Sequence, residues 1–434
     1  MRSDRCSILE IEVFRMRTKL RVVITPRLID ATVFGLVSAF MAFSGIGIIK
    51  FIALAFGLLV ALIKRPVRWI PLLPAMALLV GINLMLHQAT LTLDALWLFG
   101  VERFTVYLVL SALIYTLYGD PDLRTSNAIK LAVMILINLG MTGLLFIPPL
   151  ISSWKGLSTR LGEYGWLNLV YVSANLMAYL VFIGHLLVEW CWEKLSSRLG
   201  TWVRWSAHGM LFTLGVFAQS RAYWIYLFLA GGLWLIRHWA TQRASSRRFW
   251  TSVLIGSGGV ALLILILRAL PQTAIWIAQL SNNVTGVSLE GRFWSLVRLV
   301  FTDNALLDAS TRERIDLLSA AWFQFLSSPL FGQGFGAFAA QAVWAIQRGV
   351  FILRSGYAHA DLFELAASTG LLGVSLYAGA ILPSVKKVRH ESWIWIGLVI
   401  SLVTGMVFRM LFDKAIWWIL LVLVALLAKE KDHA

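Results

Sequence analysis

Twelve apolar runs, most of them long enough to cross a lipid bilayer as a helix, dominate this sequence. Inside lipid no water satisfies backbone N–H and C=O groups, so each run has to close its own hydrogen bonds, and a helix does this within one segment. The runs lie near 28–43, 46–63, 69–86, 95–118, 127–148, 165–190, 205–220, 222–237, 250–270, 359–383, 393–410 and 414–428. Composition agrees: 59% of residues are hydrophobic and 14% charged, against about a quarter charged in soluble domains. The expected fold class is an all-α polytopic membrane protein with about 12 transmembrane helices.

The charge balance is lopsided, 38 Lys+Arg against 22 Asp+Glu, for a net charge of +16. In a soluble chain such an excess suggests nucleic acid. Here most basic residues sit in short loops between apolar runs, where the positive-inside rule accounts for them, and no nucleic-acid partner is implied. Two cysteines, Cys6 and Cys191, exclude a disulfide scaffold or a thiolate metal site. The basic N-terminal stretch "MRSDRCSILEIEVFRMRTKLRVVITPR" lacks a long apolar core with a small-residue cleavage site. It reads as a retained amphipathic segment on the cytoplasmic side.

The loops then fix the sides. The "SGIG" at Ser44–Gly47 has to turn a short hairpin, because the N-terminus and "KRPVR" at Lys64–Arg68 need an even number of crossings between them. "WEKLSSRLGTWVR", "RHWATQRASSRR", "KKVRHE" and the C-terminal "KEKDHA" fall on the inner side, while "LHQATLTLD" falls outside without a basic residue. The organisation expected is a nine-span bundle over 1–270, a large outer loop over 271–358 and three further spans over 359–434. A loop of roughly 90 residues is far longer than ordinary connections and is read as functional. Within it, "TRERIDLLSAAWFQFLSS" reads as an amphipathic helix capped by Thr311 and stopped by Pro329.

Once sides are assigned, basic residues on the outer side become the informative ones. Arg221, in "FAQSRAYW", falls in a turn of about two residues between the seventh and eighth runs. It is either an arginine snorkelling to the interface or a fixed guanidinium presented to an anion. The outer loops add Lys155, Arg160, Arg292, Arg298, Arg312, Arg314, Arg348 and Arg354, and Asp413 ends the eleventh run on the same side. Together the cations suggest a positive field over a cleft that receives a polyanionic, lipid-borne ligand. The glycines of "PLFGQGFGAF" do not follow a strand, so a nucleotide loop is a poor reading; a tight turn that offers backbone N–H groups to a phosphate is a better one. In "YAHADLFELAASTGLLG", His359 stands at the start of an outer-facing helix, followed by Asp361 and Glu364. Its ordinary pKa suits proton transfer near neutrality. The outer loops show neither a D-x-D pair nor acidic residues at ligand spacing, so neither a metal nor a cofactor is expected.

Three ordered motifs carry a family resemblance: "SRAYW" at Ser220–Trp224, "RIDLLSAAWFQFLSSPLFGQGFGAF" from Arg314, and "HADLFELAASTGLLG" from His359. In order, spacing and topology the chain resembles the O-antigen ligase and O-antigen polymerase superfamily. Where many relatives carry asparagine or serine after the histidine, this sequence has Ala360. The resemblance implies a C-type glycosyltransferase-like fold in the bacterial inner membrane, with a large helical periplasmic loop. It implies a glycan donor on undecaprenyl pyrophosphate, a lipid A–core acceptor and inverting, metal-independent transfer on the periplasmic side. Arg221 and Arg314 would hold the pyrophosphate and His359 would act on the acceptor hydroxyl. Arg312, Arg292, Lys155, Arg160 and Asp413 would contribute to substrate binding.

The same donor chemistry serves an O-antigen polymerase or a protein O-glycosyltransferase. A flippase for lipid-linked sugars is a rival of another class. It would carry charges along a path through the spans, whereas here, apart from Lys50, Arg103 and Arg268, they cluster outside.

Sidedness is the expectation on which the others depend. A cysteine placed at Ser288 is predicted to react with a membrane-impermeant thiol reagent on intact spheroplasts, and one at Ser246 only after permeabilisation. The reverse labelling pattern would put the arginine-rich loop in the cytoplasm and end the reading.

Overall fold

The structure, a computed structural model, describes residues 25–43, 46–64, 95–152, 174–195, 200–217, 220–241, 309–334, 338, 360–405 and 414–428. The described secondary structure is helical. The helices are α1 (Pro26–Phe40), α2 (Gly47–Lys64), α3 (Ala95–Tyr118), α4 (Arg124–Ser152), α5 (Ala174–Leu195) and α6 (Thr201–Phe217). After them come α7 (Arg221–Thr241), α8 (Ala309–Ser327), α9 (Asp361–Lys387), α10 (Ser392–Gly405) and α11 (Ala415–Leu427), and a 3-10 turn at Pro121–Leu123 precedes α4. A helix stands at ten of the twelve expected spans; 69–86 and 250–270 lie outside the described residues. Gly47–Lys64, Pro121–Leu145, Asn175–Leu195 and Asp361–Lys387 are long and apolar enough to cross a membrane, as befits an integral membrane protein.

Local signals account for where several helices begin. Thr25 caps α1 by accepting from the Leu28 N–H through Oγ1 (3.3 Å), with Pro26 in the first turn, where its missing N–H costs nothing. Every residue of α11, "AIWWILLVLVALL", is buried. A helix apolar all round belongs at the centre of a bundle, and α11 packs there against α3, α4 and α9. The Trp418 ring meets Phe104 edge-on at 5.1 Å, and the Trp417 indole donates to the Tyr377 hydroxyl at 2.7 Å. By contrast α2 leaves Ile48, Phe51, Ile52 and Leu59 exposed, an apolar face suited to lipid.

Ion pairs between helices mark one end of the bundle. Lys130 at the start of α4 pairs with Asp30 of α1 (2.8 Å), and Tyr118 at the end of α3 donates to the same carboxylate (2.9 Å). Lys64 at the end of α2 donates to the Leu117 carbonyl. The start of α1 and the end of α2 therefore lie at one end, as the parity of the N-terminal hairpin required. Asn175 of α5 meets Ser220 just before α7, while Trp190 and Lys194 at the other end of α5 meet Glu391 just before α10. This second end is the basic one, where Lys64, Lys130, Lys194, Arg204, Lys386 and Lys387 gather. The first is called the Arg221 end below.

Glu391 clasps the basic end. The Trp190 indole N–H donates to Oε2 (2.7 Å), Lys194 donates to Oε1 (3.0 Å), and the carboxylate is almost fully buried. Burial alone would raise its pKa; the hydrogen bonds from Trp190 and Lys194, with the charge of Lys194, outweigh that and hold the carboxyl below its usual range. A group lowered by folding stabilises fully above its ordinary value and loses that contribution as pH falls through the lowered one. Glu391→Gln should cost roughly 1–2 kcal/mol of unfolding free energy in detergent at neutral pH. Its deficit relative to wild type should shrink as pH falls below the ordinary glutamate range and vanish once pH has passed through the lowered value. A pH-independent deficit would show that the pairing does not depend on the carboxylate charge.

Candidate functional site

At the Arg221 end the turn between α6 and α7 is short, and Ser220 caps α7. Its Oγ accepts from the Ala222 N–H (3.2 Å) and donates to Asn175 Oδ1 of α5 (2.7 Å). Arg221 is thus the first residue of a helix whose start is tethered, rather than a residue of the turn itself. A capped helix start adds a partial positive charge to a guanidinium placed there. The position of the Arg221 side chain lies outside the described residues, so the backbone alone carries this point.

The second component is an interlock between two segments far apart in sequence. Helix α9 breaks at Gly370, whose φ of 63° and ψ of −166° are not helical. The break strands carbonyls before it and N–H groups after it. The loop after α8 takes up both. Gln333 and Gly334 donate to the carbonyls of Ala367 and Ser368 (2.8 Å each), while Leu371 and Leu372 donate to those of Pro329 and Leu330 (2.8 and 3.1 Å). The two backbones pass so closely that a Cβ on Gly332 would strike the Ser368–Thr369 peptide, and one on Gly370 the Leu330–Phe331 peptide. Both glycines also have positive φ, 71° and 63°. The tight turn expected from "PLFGQGFGAF" is present, but the N–H groups of Gln333 and Gly334 are spent on α9 and not offered to a phosphate.

This interlock aligns α8 with the first part of α9. Leu317, Ala321 and Ala367 are buried together, and Trp322 meets Phe363 edge-on at 6.3 Å. Since 322 lies beside 363 and 329–330 beside 371–372, the two run in the same direction. The start of α8, which carries Arg312 and Arg314, and the start of α9, immediately after His359, therefore share one end of the pair. The helix begins at Ala309, so Thr311 is inside it and is not its cap; Ser327 and Pro329 mark its end much as expected.

The third component is Asp361, in the first turn of α9 and only 2% exposed. It lies near Tyr179 of α5, Tyr226 of α7 and Tyr377 beyond the break in α9. Tyr179 exchanges a hydrogen bond with Ser401 of α10 (2.8 Å), and the Phe182 and Tyr226 rings stack at 5.0 Å. Of the two carboxylates that follow His359, Asp361 is thus turned into the bundle. The sequence names it without assigning it a role, and misses the tyrosines around it; four-residue spacing of Asn175 and Tyr179 on α5 is the signal that could have found them.

The remaining residues expected at the site, His359, Arg292, Lys155, Arg160 and Asp413, lie outside the described residues, as do the side chains of Arg312 and Arg314. Among the described residues no group of three or more His, Cys, Asp or Glu side chains is arranged to hold a metal ion.

Residues 206–378 match the family model described as O-Antigen ligase. The resemblance read from the sequence is borne out there. The matched segment contains Arg221, Arg292, Arg312, Arg314 and His359, and leaves Lys155, Arg160 and Asp413 outside. It also contains both halves of the Gly332–Gly370 interlock. No curated protein matches the chain.

The interlock makes a sharp prediction. Gly332→Ala or Gly370→Ala should lower the melting temperature in detergent strongly, because each adds a backbone clash to about 1 kcal/mol or more of left-handed strain. Gly379→Ala, with nothing within 4 Å of its Cβ, should be tolerated. Equal stability of all three would mean that the two segments do not pack this closely.

Proposed function

We propose that the protein is a lipopolysaccharide O-antigen ligase: it moves a glycan from undecaprenyl pyrophosphate to a sugar hydroxyl of lipid A–core, with inversion and without a metal. The observation that carries this is the family match over 206–378, the stretch that contains Arg221, Arg314 and His359. The parallel pairing of α8 with the start of α9 supports it, since the helix start that carries Arg314 and the helix start that follows His359 in the sequence lie at one end of the pair. In this reading Arg221 and Arg314 bind the pyrophosphate as a divalent cation would elsewhere, through planar forks that match two phosphate oxygens. Arg312, Arg292, Lys155 and Arg160 extend the positive field, and Asp413 orients a neighbouring cation. His359 accepts the proton of the acceptor hydroxyl as its oxygen attacks the anomeric carbon, and the bond to the pyrophosphate oxygen breaks with its electron pair.

The bundle's charge distribution supports a periplasmic site in the inner membrane. Most lysines and arginines of the described helix ends gather opposite the Arg221 end, and basic loop residues mark the cytoplasmic side. The chain is then organised as a transmembrane bundle over 1–270, a periplasmic loop over 271–358 and a C-terminal helical part over 359–434, in a C-type glycosyltransferase-like fold of about 12 spans.

Reconstituted protein supplied with lipid-linked glycan and lipid A–core should transfer glycan to the core. His359→Ala should abolish transfer, a loss of at least about 100-fold, in a protein that still folds. Arg221→Lys should be strongly impaired because a point charge does not reproduce the fork. Transfer should survive exhaustive chelation. Elongation of the lipid-linked glycan without transfer to the core would make the protein a polymerase, and transfer only to a polypeptide a protein O-glycosyltransferase. A folded His359→Ala protein with normal activity would remove the histidine from the chemistry.

A further inference from the structure

Away from the interlock, five polar side chains form an unbroken hydrogen-bonded chain through α5, α6 and α7. Arg204 grips Glu189 through Nε to Oε1 (2.8 Å) and Nη2 to Oε2 (2.6 Å). Glu189 Oε1 meets His208 Nε2 at 2.7 Å, His208 Nδ1 meets His185 Nδ1 at 2.8 Å, and His185 Nε2 meets the Tyr223 hydroxyl at 3.0 Å. Ionisable groups are costly in a membrane bundle and mark function by default, with proton relays prominent among their uses.

The contacts dictate where the protons are. Arginine is always charged, and its two-point grip holds Glu189 as a carboxylate, which can only accept. His208 Nε2 therefore carries a proton. The contact between the two Nδ1 atoms holds one proton and cannot hold two. When both rings are neutral, His208 Nδ1 is bare, His185 Nδ1 carries the bridging proton, and His185 Nε2 is bare and accepts from Tyr223. A single added proton has one place to go: with His208 Nε2 and the bridge already filled, it ends on His185 Nε2, whichever ring carries the charge. The Tyr223 bond then reverses, with the ring donating and the hydroxyl hydrogen displaced. Little room exists for that hydrogen's ring to shift, because Tyr223 is fully buried and its ring fills the space above Gly215.

Other titratable groups near the pair do not break this logic. On α5 the next turns carry Tyr179, hydrogen-bonded to Ser401, and buried Cys191; on α7 Tyr226 packs against Tyr179 at 5.8 Å. On α6 the His208 ring has Trp205 at 6.2 Å. Helix α10 has no titratable residue, and those of α4 are Arg124 and Lys130, the latter paired with Asp30 at the basic end.

Tyr223 lies two residues beyond Arg221, and α5 holds this first turn of α7 twice, through Asn175 to Ser220 and through His185 to Tyr223. We propose that Glu189, His208, His185 and Tyr223 form a one-proton relay whose neutral state aligns the first turn of α7, so that His185, His208 and Tyr223 are positioning residues for Arg221. Their role rests on the transfer reading above. Protonation reverses the bond to Tyr223 and leaves its hydroxyl hydrogen to find another acceptor in a buried place; with the ring pinned on Gly215, the first turn of α7 shifts instead and the hold of Arg221 on an anionic donor weakens.

Two measurements on the full chain in proteoliposomes test this. Nitrogen-15 NMR of histidine-labelled protein should show that His185 and His208 share one N–H···N bridge and take up one proton as a pair. Two independent titrations in the wild-type protein, with that of His208 unchanged by His185→Gln, would overturn the relay. The pH profile of transfer should fall on acidification, by about tenfold per unit below its midpoint, with the KM for donor changing more than kcat. Tyr223→Phe, which keeps the ring on Gly215, and His185→Gln as a second variant should each flatten that acidic limb while remaining folded. An unchanged limb in both overturns the positioning role. No transfer by wild type at any pH would instead overturn the glycosyl-transfer reading, and the positioning role with it, while the NMR result still decides whether the histidines share their proton.

Discussion

A helix that breaks inside a membrane bundle has to find partners for the backbone groups it frees, and the arrangement around Gly370 depends on that demand. In water the stranded carbonyls and N–H groups would be solvated. In a bilayer each unsatisfied group costs several kcal/mol by about the order expected for transfer to hydrocarbon. The loop after α8 supplies donors and acceptors in the required positions, so the break and the loop specify each other. Neither segment has a reason to adopt its shape alone. Their mutual dependence fixes α8 against α9, and through α9 it fixes the backbone that follows His359.

The remaining architecture serves the same end by ordinary means. Buried α11 gives α3, α4 and α9 a common wall, with Trp417 tied to Tyr377 just past the break. Helix α5 is held by Asn175 and Tyr179 near the Arg221 end and by Trp190 and Lys194 near the other. Polar contacts spaced along one apolar helix act as a register, since a slip of one residue would leave several buried groups unpaired.

Hydropathy made most of the fold legible, because a bilayer converts an apolar run into a helix with little regard to its neighbours. The hairpin of α1 and α2, the short turn before Arg221 and the end of α8 at Pro329 were all readable on such local grounds. The break at Gly370 was not. "AASTGLLG" reads as helix on hydropathy, and what ends the helix there is a loop some forty residues earlier in the chain. The histidine pair was illegible for a related reason, since His185 and His208 come from different helices. A trace of it was present: His185 and Glu189 on α5, and Arg204 and His208 on α6, each sit four residues apart on one helix face. Two matching pairs on consecutive antiparallel spans are a pattern worth reading. The candidate site itself was visible mainly as arginines on the unexpected side, which topology alone reveals.

That asymmetry of charge has a structural counterpart. At the basic end, ion pairs join helices: Lys130 with Asp30, Lys194 with Glu391, Arg204 with Glu189. These three cations are neutralised and held by the protein's own carboxylates. At the Arg221 end, neutral contacts among the described residues join several helices: Ser220 with Asn175, Tyr179 with Ser401 and Trp417 with Tyr377. Neutral contacts hold an end together without consuming the positive charge that an anionic donor would need. Asp361 is buried near Tyr179, Tyr226 and Tyr377, inside the bundle rather than on the face that a phosphate would approach. A site for a polyanion asks for that division: carboxylates turned inward or kept at the far end, and arginines left at the start of helices whose backbones are already fixed.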